Sequence, residues 1–78
     1  MEKNVNEENT KQLTIMRENF KSLRQSNDWS IKELSEISGI DKKILTDIEE
    51  GRDFDIVYLF RLCRCYDIAP HKIFFQIQ

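Results

Sequence analysis

The sequence predicts an all-α protein, and three observations support this. Apolar residues recur at three- and four-residue spacing in several segments, which is the pattern of amphipathic helices. The 78 residues include only two glycines and one proline, so few positions interrupt a helix. Helix start and stop signals, beginning with a Ser-x-x-Glu pattern at Ser30, border the periodic segments. The length allows one small domain. Its size is near the lower limit at which a hydrophobic core can stabilise a fold without metals or disulfides.

The first predicted helix follows an apolar repeat near the amino terminus. Leu13, Met16, Phe20 and Leu23 are three or four residues apart, so they share one helix face. Polar residues at 26–28 are expected to end this helix. Residues 1–12 are polar and rich in Asn and Glu, and we expect them to form a flexible tail. The single domain then spans 13–78.

Two short helices are predicted around one glycine. Ser30 and Glu33 form a capping box that starts a helix at Ile31, and Gly39 permits the left-handed backbone that ends it. Asp41 is expected to cap the next helix. A turn of this kind sets a second helix across the first and is typical of proteins that present that helix to DNA.

The second helix of this pair is predicted to run from Lys42 to about Glu50, before Gly51. Leu45 and Ile48 share one face, which is expected to pack on the core. The residues expected to point the opposite way, or to lie at the margin of that face, are Lys42, Lys43, Thr46, Asp47 and Glu50.

A fourth and a fifth helix are predicted near the carboxyl end. Their signals are an apolar stripe for the fourth helix, a proline suited to the first position of the fifth, and two inward-packing residues after it. The residues concerned are Leu59, Leu62, Cys63 and Tyr66, then Pro70, then Ile73 and Phe74. By the same helix count, Phe54 and Tyr58 are expected to be exposed.

Several functional classes are excluded by what the sequence contains. Cys63 and Cys65 lie about 200° apart around a helix, so they suit neither a disulfide nor a shared metal, and His71 is the only histidine. No catalytic set or glycine-rich phosphate loop is evident, so neither an enzyme nor a cofactor or metal is expected. No segment reaches the roughly 18 apolar residues of a membrane helix, and no signal peptide opens the chain, so the cytoplasm is the expected location.

From about Met16 to Phe74 the chain resembles the phage-repressor-like, or XRE-type, helix-turn-helix regulators. The residues that carry the resemblance are Leu23-Arg24, Leu34, Gly39-Ile40, the Ile48-Glu49-Glu50-Gly51 segment and the final helix leading to Ile73-Phe74. The resemblance implies a compact five-helix lambda-repressor-like domain. It also implies sequence-specific binding to double-stranded DNA, with the helix at about 42–50 in the major groove.

The resemblance implies phosphate contacts from Ser30, Ile31 and Lys32, at the start of the first helix of the motif. The family often has a glutamine where this chain has Ile31, which offers only its backbone N–H. The alternative to a phosphate contact is that the Ile31 side chain extends the core. In the loop after the second helix, Arg52 is the remaining candidate for a phosphate contact, because the loop is more acidic than is usual in the family.

The base-reading positions implied by the resemblance are Lys42, Lys43, Thr46 and Asp47. Lysine can donate to guanine or to a phosphate, and Thr46 can meet a thymine. Asp47 can accept from cytosine N4, although a carboxylate also faces the phosphate charge. Ile44 lies on the flank, where a thymine methyl or the core could be its neighbour.

A structural ion pair between Arg24 and Glu49 is also implied by the resemblance. Such a pair would fix the recognition helix against its scaffold.

Charge gives no overall attraction to DNA, since the chain carries a net charge of −2. A local positive patch of Lys32, Lys42, Lys43 and Arg52 is expected instead, and simple solvation of a charged surface is the alternative.

Dimer contacts are expected from Phe75 and Ile77, because the end of the chain has more apolar surface than one small domain covers. The alternative is that Phe75 folds back onto the first helix. A two-fold homodimer would place its recognition helices about 34 Å apart and would require a palindromic operator.

Two functional hypotheses follow. The first is a transcriptional regulator, in particular a repressor acting as a homodimer. The second is a protein-interaction module on the same scaffold, antitoxin-like or anti-repressor-like, with weak DNA binding or none; the acidic Asp47 and Glu50 favour it.

Overall fold

The computed structural model describes residues 2–76, with side chains from residue 11 onward. Within that range the chain forms four α-helices and one 3₁₀ helix, and no strand. The α-helices are α1 (Glu2–Ser26), α2 (Ile31–Ser38), α3 (Lys42–Glu49) and α4 (Val57–Cys65), and the 3₁₀ helix is Pro70–Phe74. The all-α class is confirmed. The predicted fifth helix is present as a 3₁₀ helix rather than an α-helix.

Helix α1 begins earlier than the sequence predicts, at Glu2 rather than at Leu13. The predicted start was wrong because it relied on apolar spacing, which residues 2–12 lack. A helix does not need that spacing to continue: Glu, Lys and Gln have good helix propensity, and acidic residues near the amino end interact favourably with the helix dipole. The flexibility of the tail, and the division into 1–12 and 13–78, remain predictions.

The core is formed by the faces of all five elements. Met16 and Phe20 come from α1, and the other fully buried apolar residues are Leu34, Ile40, Leu45, Ile48, Leu59, Leu62, Cys63 and Ile73. Trp29 packs against this cluster from the turn after α1. The core thus lies behind α2 and α3, and their outer faces remain exposed.

Phe54 and Tyr58 are partly buried against the core, so the prediction that they are exposed was wrong. Tyr58 lies four residues before Leu62, which places the two side chains on the same face of α4. The exposed apolar side chains of this region are Ile56, Val57 and Phe60 instead.

Two helices end in the left-handed conformation without a glycine. Asp28 after α1 has φ +58°, and Asp67 after α4 has φ +57°. In each case the next residue folds back: the Trp29 N–H donates to the Arg24 carbonyl at 3.1 Å, and the Ile68 N–H donates to the Cys63 carbonyl at 2.9 Å. This hydrogen bond is part of the Schellman motif. It turns Trp29 and Ile68 back onto the core.

Asn19 is the buried polar residue that fastens the carboxyl end to α1. The residue is 7% exposed. The Asn19 Nδ2 donates to the Ile73 carbonyl and to the Phe75 carbonyl, both at 2.7 Å. The backbone of Phe75 is therefore held against α1, while its side chain is 65% exposed and does not fold back onto the helix. The other candidate dimer residue, Ile77, lies outside the described residues.

We expect Asn19→Ala to lower the free energy of unfolding by about 2 kcal/mol, because it leaves two carbonyl groups without their hydrogen-bond donor at a position that is partly shielded from water. Urea denaturation followed by circular dichroism measures this change. Asn27→Ala is the matched control: Asn27 also donates its side-chain amide to a carbonyl, that of Leu23 at 2.8 Å, but at an exposed position. Equal losses in the two variants would contradict a fastening role for Asn19.

Candidate nucleic-acid interface

The start of α2 is fixed by the predicted capping box. The Glu33 N–H donates to the Ser30 hydroxyl oxygen at 3.0 Å, and the Ser30 N–H donates to Glu33 Oε1 at 2.8 Å. This reciprocal pair satisfies two donors that a helix start would otherwise leave open. Ser30 and Lys32 are exposed at this end of α2, whereas Ile31 is partly buried and packs against the core. This packing of Ile31 agrees with the alternative to a phosphate contact, in which its side chain extends the core.

The turn between α2 and α3 depends on Gly39. Its φ of +74° lies in the left-handed region that glycine adopts without strain, and its N–H donates to the Ser35 carbonyl at 2.9 Å. The Ser35 hydroxyl then donates to the Ile40 carbonyl at 2.6 Å. These bonds fix the direction in which the chain leaves α2, and they bring Ile40 into the core.

Helix α3 begins at Lys42 and ends at Glu49. Asp41 occupies the position before it, but its side chain makes no capping hydrogen bond, so the predicted carboxylate cap was wrong. The Asp41 carbonyl still accepts the first intrahelical bond, from the Leu45 N–H at 3.1 Å. Its side chain is exposed, where water competes for the carboxylate.

Helix α3 has two distinct faces. Leu45 and Ile48 are buried in the core. Lys42 and Lys43 are exposed in its first turn, and Thr46 is partly buried on the adjoining surface. Ile44 is partly buried and packs against the core, which was the alternative to its exposure toward a base. The face opposite the core therefore carries two lysines and one hydroxyl, groups that can donate to base edges and phosphates.

An ion pair joins the end of α1 to the end of α3. Arg24 Nε lies 2.8 Å from Glu49 Oε2, and Arg24 Nη2 lies 3.0 Å from Glu49 Oε1, which is a bidentate geometry. Arg24 Nη1 also donates to the Trp29 carbonyl at 2.8 Å. The side chains of Arg24 and Glu49 are 14% and 9% exposed, and the hydrogen bonds to Glu49 raise the pKa of Arg24. This pair, which the sequence resemblance implied, holds the orientation of α3.

Asp47 accepts hydrogen bonds from two of the candidate DNA-binding cations. Its Oδ2 accepts from Lys43 Nζ at 3.3 Å, and its Oδ1 accepts from Arg52 Nε at 2.8 Å. Arg52 Nη1 lies 2.9 Å from Glu50 Oε1, which extends the network to a second carboxylate. The hydrogen bond from Arg52 is the main reason that the pKa of Asp47 is lowered. The term "acidic network" below means Lys43, Asp47, Glu50 and Arg52.

The loop after α3 places Arg52 in this network. Gly51 has φ +82°, and the Arg52 N–H donates to the Asp47 carbonyl at 2.8 Å, so the chain turns back along the helix end. Sequence reasoning treated Asp47 as a base reader and missed these contacts. The four-residue spacing of Lys43 and Asp47 was an available signal for one of them. The contact with Arg52 depends on the turn at Gly51 and had no such signal.

The four candidate cations are therefore not equivalent. Lys43 and Arg52 are paired with carboxylates. In the part of the chain that the structure describes, Lys32 and Lys42 have no carboxylate within 4.0 Å. Lys32 and Lys42 are thus available to a phosphate without breaking an internal ion pair.

The part of the chain that the structure describes contains neither a metal-binding cluster nor a membrane-spanning helix. Among the side chains described, those of residues 11–76, no group of three or more His, Cys, Asp or Glu is placed to hold a metal ion. None of the helices there is both long and apolar enough to cross a membrane. The buried thiol of Cys63 has a raised pKa because burial disfavours the thiolate, which makes it a packing group rather than a nucleophile.

Comparison with known proteins gives one match. A protein-family model described as Helix-turn-helix matches residues 20–73, which includes the second part of α1, all of α2 to α4 and most of the 3₁₀ helix. No curated protein and no solved structure matches the chain significantly. The matched region includes the capping box, the Gly39 turn, α3 and the acidic network.

Proposed function

Because the chain belongs to the XRE-type helix-turn-helix family of DNA-binding regulators, we propose that it is a sequence-specific transcriptional repressor that acts as a homodimer. The observation that carries this proposal is the division of α3 into a face buried in the core and a face that carries Lys42 and Lys43 outward. Helix α3 would lie in the major groove, with Thr46 beside the lysines.

The start of α2 supports a contact with the DNA backbone. A helix leaves its first N–H groups without intrahelical acceptors, and the capping box satisfies those of Ser30 and Glu33. The N–H groups of Ile31 and Lys32 therefore remain for a phosphate oxygen, which the positive end of the helix dipole also favours. Lys32 would add its charge at the same place, so the missing glutamine side chain is partly replaced.

A homodimer is supported by exposed apolar side chains within and just before α4 and near the carboxyl end. Ile56, Phe60 and Phe75 are 59%, 53% and 65% exposed. Burial of such side chains between two copies would stabilise both. A two-fold dimer would then present two α3 helices to successive major grooves of a palindromic operator, in the cytoplasm where its DNA target would be.

Selection from a random-sequence DNA pool tests the proposal. Purified protein would be mixed with the pool at about 50 mM and then about 200 mM salt, and the retained DNA would be sequenced. We expect an enriched palindrome whose affinity falls steeply with salt. Enrichment of a single, non-repeated half-site would support DNA binding but contradict the homodimer.

The acidic network favours a second candidate function, a protein-interaction module of the antitoxin or anti-repressor kind. Lys43 and Arg52 are neutralised within the chain by Asp47 and Glu50, so this part of the α3 surface carries no net positive charge from them. On this alternative the outer face of α3 would bind a partner protein instead of phosphates. No enrichment of any DNA sequence at about 50 mM salt would favour this function over the first.

A further inference from the structure

We propose that Asp47 sets DNA selectivity by competing with phosphate for Lys43 and Arg52. The inference rests on the proposed DNA-binding function and adds a role for one residue within it. Asp47 acts through these two cations, so it is a positioning residue rather than a base reader. In the free protein its carboxylate occupies the place at each cation that a phosphate oxygen would take.

The contacts of Asp47 support this role. Its two oxygens are divided between the two cations, Oδ1 to Arg52 Nε at 2.8 Å and Oδ2 to Lys43 Nζ at 3.3 Å. The Asp47 side chain is 15% exposed, whereas those of Lys43 and Arg52 are 84% and 54% exposed. The cations are therefore open to an incoming phosphate, while the carboxylate stays beside them on the helix.

Selectivity follows from the cost of exchanging one anion for another. Non-specific binding gains its free energy from phosphate contacts that release counterions. A cation that already has a carboxylate partner gains less from a phosphate, because the existing ion pair must be broken or shared. Non-specific DNA offers only phosphate contacts, so its binding free energy is reduced most. A specific site adds base contacts that offset the loss.

Two other roles for Asp47 make different predictions. If Asp47 accepts a hydrogen bond from cytosine N4, its replacement changes the preferred base at one position of the site. If it only fastens the loop after α3, its replacement lowers stability and affinity together, with no gain on non-specific DNA. Competition with phosphate alone predicts tighter and more salt-dependent non-specific binding.

Asp47→Asn tests the proposal in the full-length chain. The variant keeps the size of the side chain and one acceptor oxygen but removes the charge. We expect its affinity for a non-specific duplex to rise at about 50 mM salt, and the slope of log affinity against log salt to become steeper by up to about 1.8, as two phosphate contacts are gained. The variant would then lose about ten times more affinity than the native protein between 50 and 200 mM salt. Its ratio of specific to non-specific affinity would fall.

Asp53→Asn is the matched control. Asp53 is an exposed carboxylate of the loop after α3, and in the described part of the chain it has no cation within 4.0 Å. It removes the same charge without freeing Lys43 or Arg52, so its salt slope should stay close to the native value. Thermal unfolding of both variants would show whether the fold is retained. The triple variant Lys43→Ala, Asp47→Asn, Arg52→Ala should lose the gain of Asp47→Asn.

The outcomes separate the inference from the function on which it rests. If the native protein binds DNA and Asp47→Asn shows an unchanged or shallower salt slope, the role of Asp47 as a competitor is overturned while the DNA-binding function stands. Equal gains in Asp47→Asn and Asp53→Asn would also overturn it, since only overall charge would then matter. If neither the native protein nor Asp47→Asn binds DNA at about 50 mM salt, the proposed function itself fails.

Discussion

The double substitution Lys42→Ala, Lys43→Ala is expected to reduce affinity for the selected operator about a hundredfold, since each lysine contact to a guanine or phosphate contributes on the order of 1–3 kcal/mol. Both side chains are exposed in the first turn of α3 and contribute nothing to the core, so the fold should be retained. Equilibrium binding to the labelled operator measures the loss.

The structure also predicts an unequal division of that loss. Lys42 has no carboxylate within 4.0 Å among the described residues, whereas Lys43 is paired with Asp47 at 3.3 Å. Contact between Lys43 and DNA must first disturb that pair, so its net contribution is smaller. Lys42→Ala alone should therefore weaken binding more than Lys43→Ala alone.

Lys72→Ala serves as the control for charge. Lys72 is an exposed lysine of the 3₁₀ helix, an element that packs on α1 and α4 rather than on the outer face of α3. Its loss removes one positive charge from outside the proposed contact surface, so operator affinity should change little. If Lys72→Ala weakens binding as much as Lys42→Ala, the placement of α3 in the groove is contradicted.

Glu49→Gln is expected to lower the free energy of unfolding by about 3 kcal/mol, a large part of the stability of so small a domain. Gln has nearly the same shape as Glu but no charge, so the Arg24 guanidinium would remain at a largely buried position without its bidentate partner. Breaking one half of a buried pair costs more than the pair itself contributes, because the remaining charge is poorly solvated. Urea denaturation at neutral pH measures the change.

Two further variants test whether the loss in Glu49→Gln comes from the unpaired Arg24 charge. Glu50→Gln is the adjacent control: Glu50 is also paired with an arginine, Arg52, but both side chains are more than half exposed, so its effect should be within about 0.5 kcal/mol. Arg24→Met combined with Glu49→Leu should recover much of the stability lost in Glu49→Gln, because no unpaired charge remains. A loss in Glu49→Gln no larger than that in Glu50→Gln would show that the Arg24–Glu49 pair is not needed for the fold.

Apart from the Arg24–Glu49 pair, which the family resemblance implied, the parts of the structure that the sequence predicted correctly depend on neighbouring residues. The capping box joins Ser30 to Glu33, and the Gly39 turn involves residues from Ser35 to Ile40. Signals of such short range can be read from residue type and spacing alone. The buried face of α3 was also predicted, because helical periodicity alone assigns Leu45 and Ile48 to one side.

The parts that were missed depend on tertiary contacts or on turn geometry. Asn19 meets the Ile73 and Phe75 carbonyls only after the chain has folded, and an asparagine within a helix gives no sign of such partners. The partial burial of Phe54 depends on how the loop after α3 packs. In the candidate interface, the contact of Arg52 with Asp47 requires the left-handed turn at Gly51, so residue type alone could not reveal it.

The division of α3 into two faces has a consequence for how the chain can diverge. Glu49, which holds the helix through Arg24, and Asp47, which holds Lys43 and Arg52, are only two residues apart but act on separate networks. Substitutions at Lys42, Lys43 and Thr46 can accumulate without disturbing the residues that maintain the fold. A library that randomises these three positions should therefore yield mostly folded proteins with diverse operator preferences, so new recognition can evolve without a loss of stability.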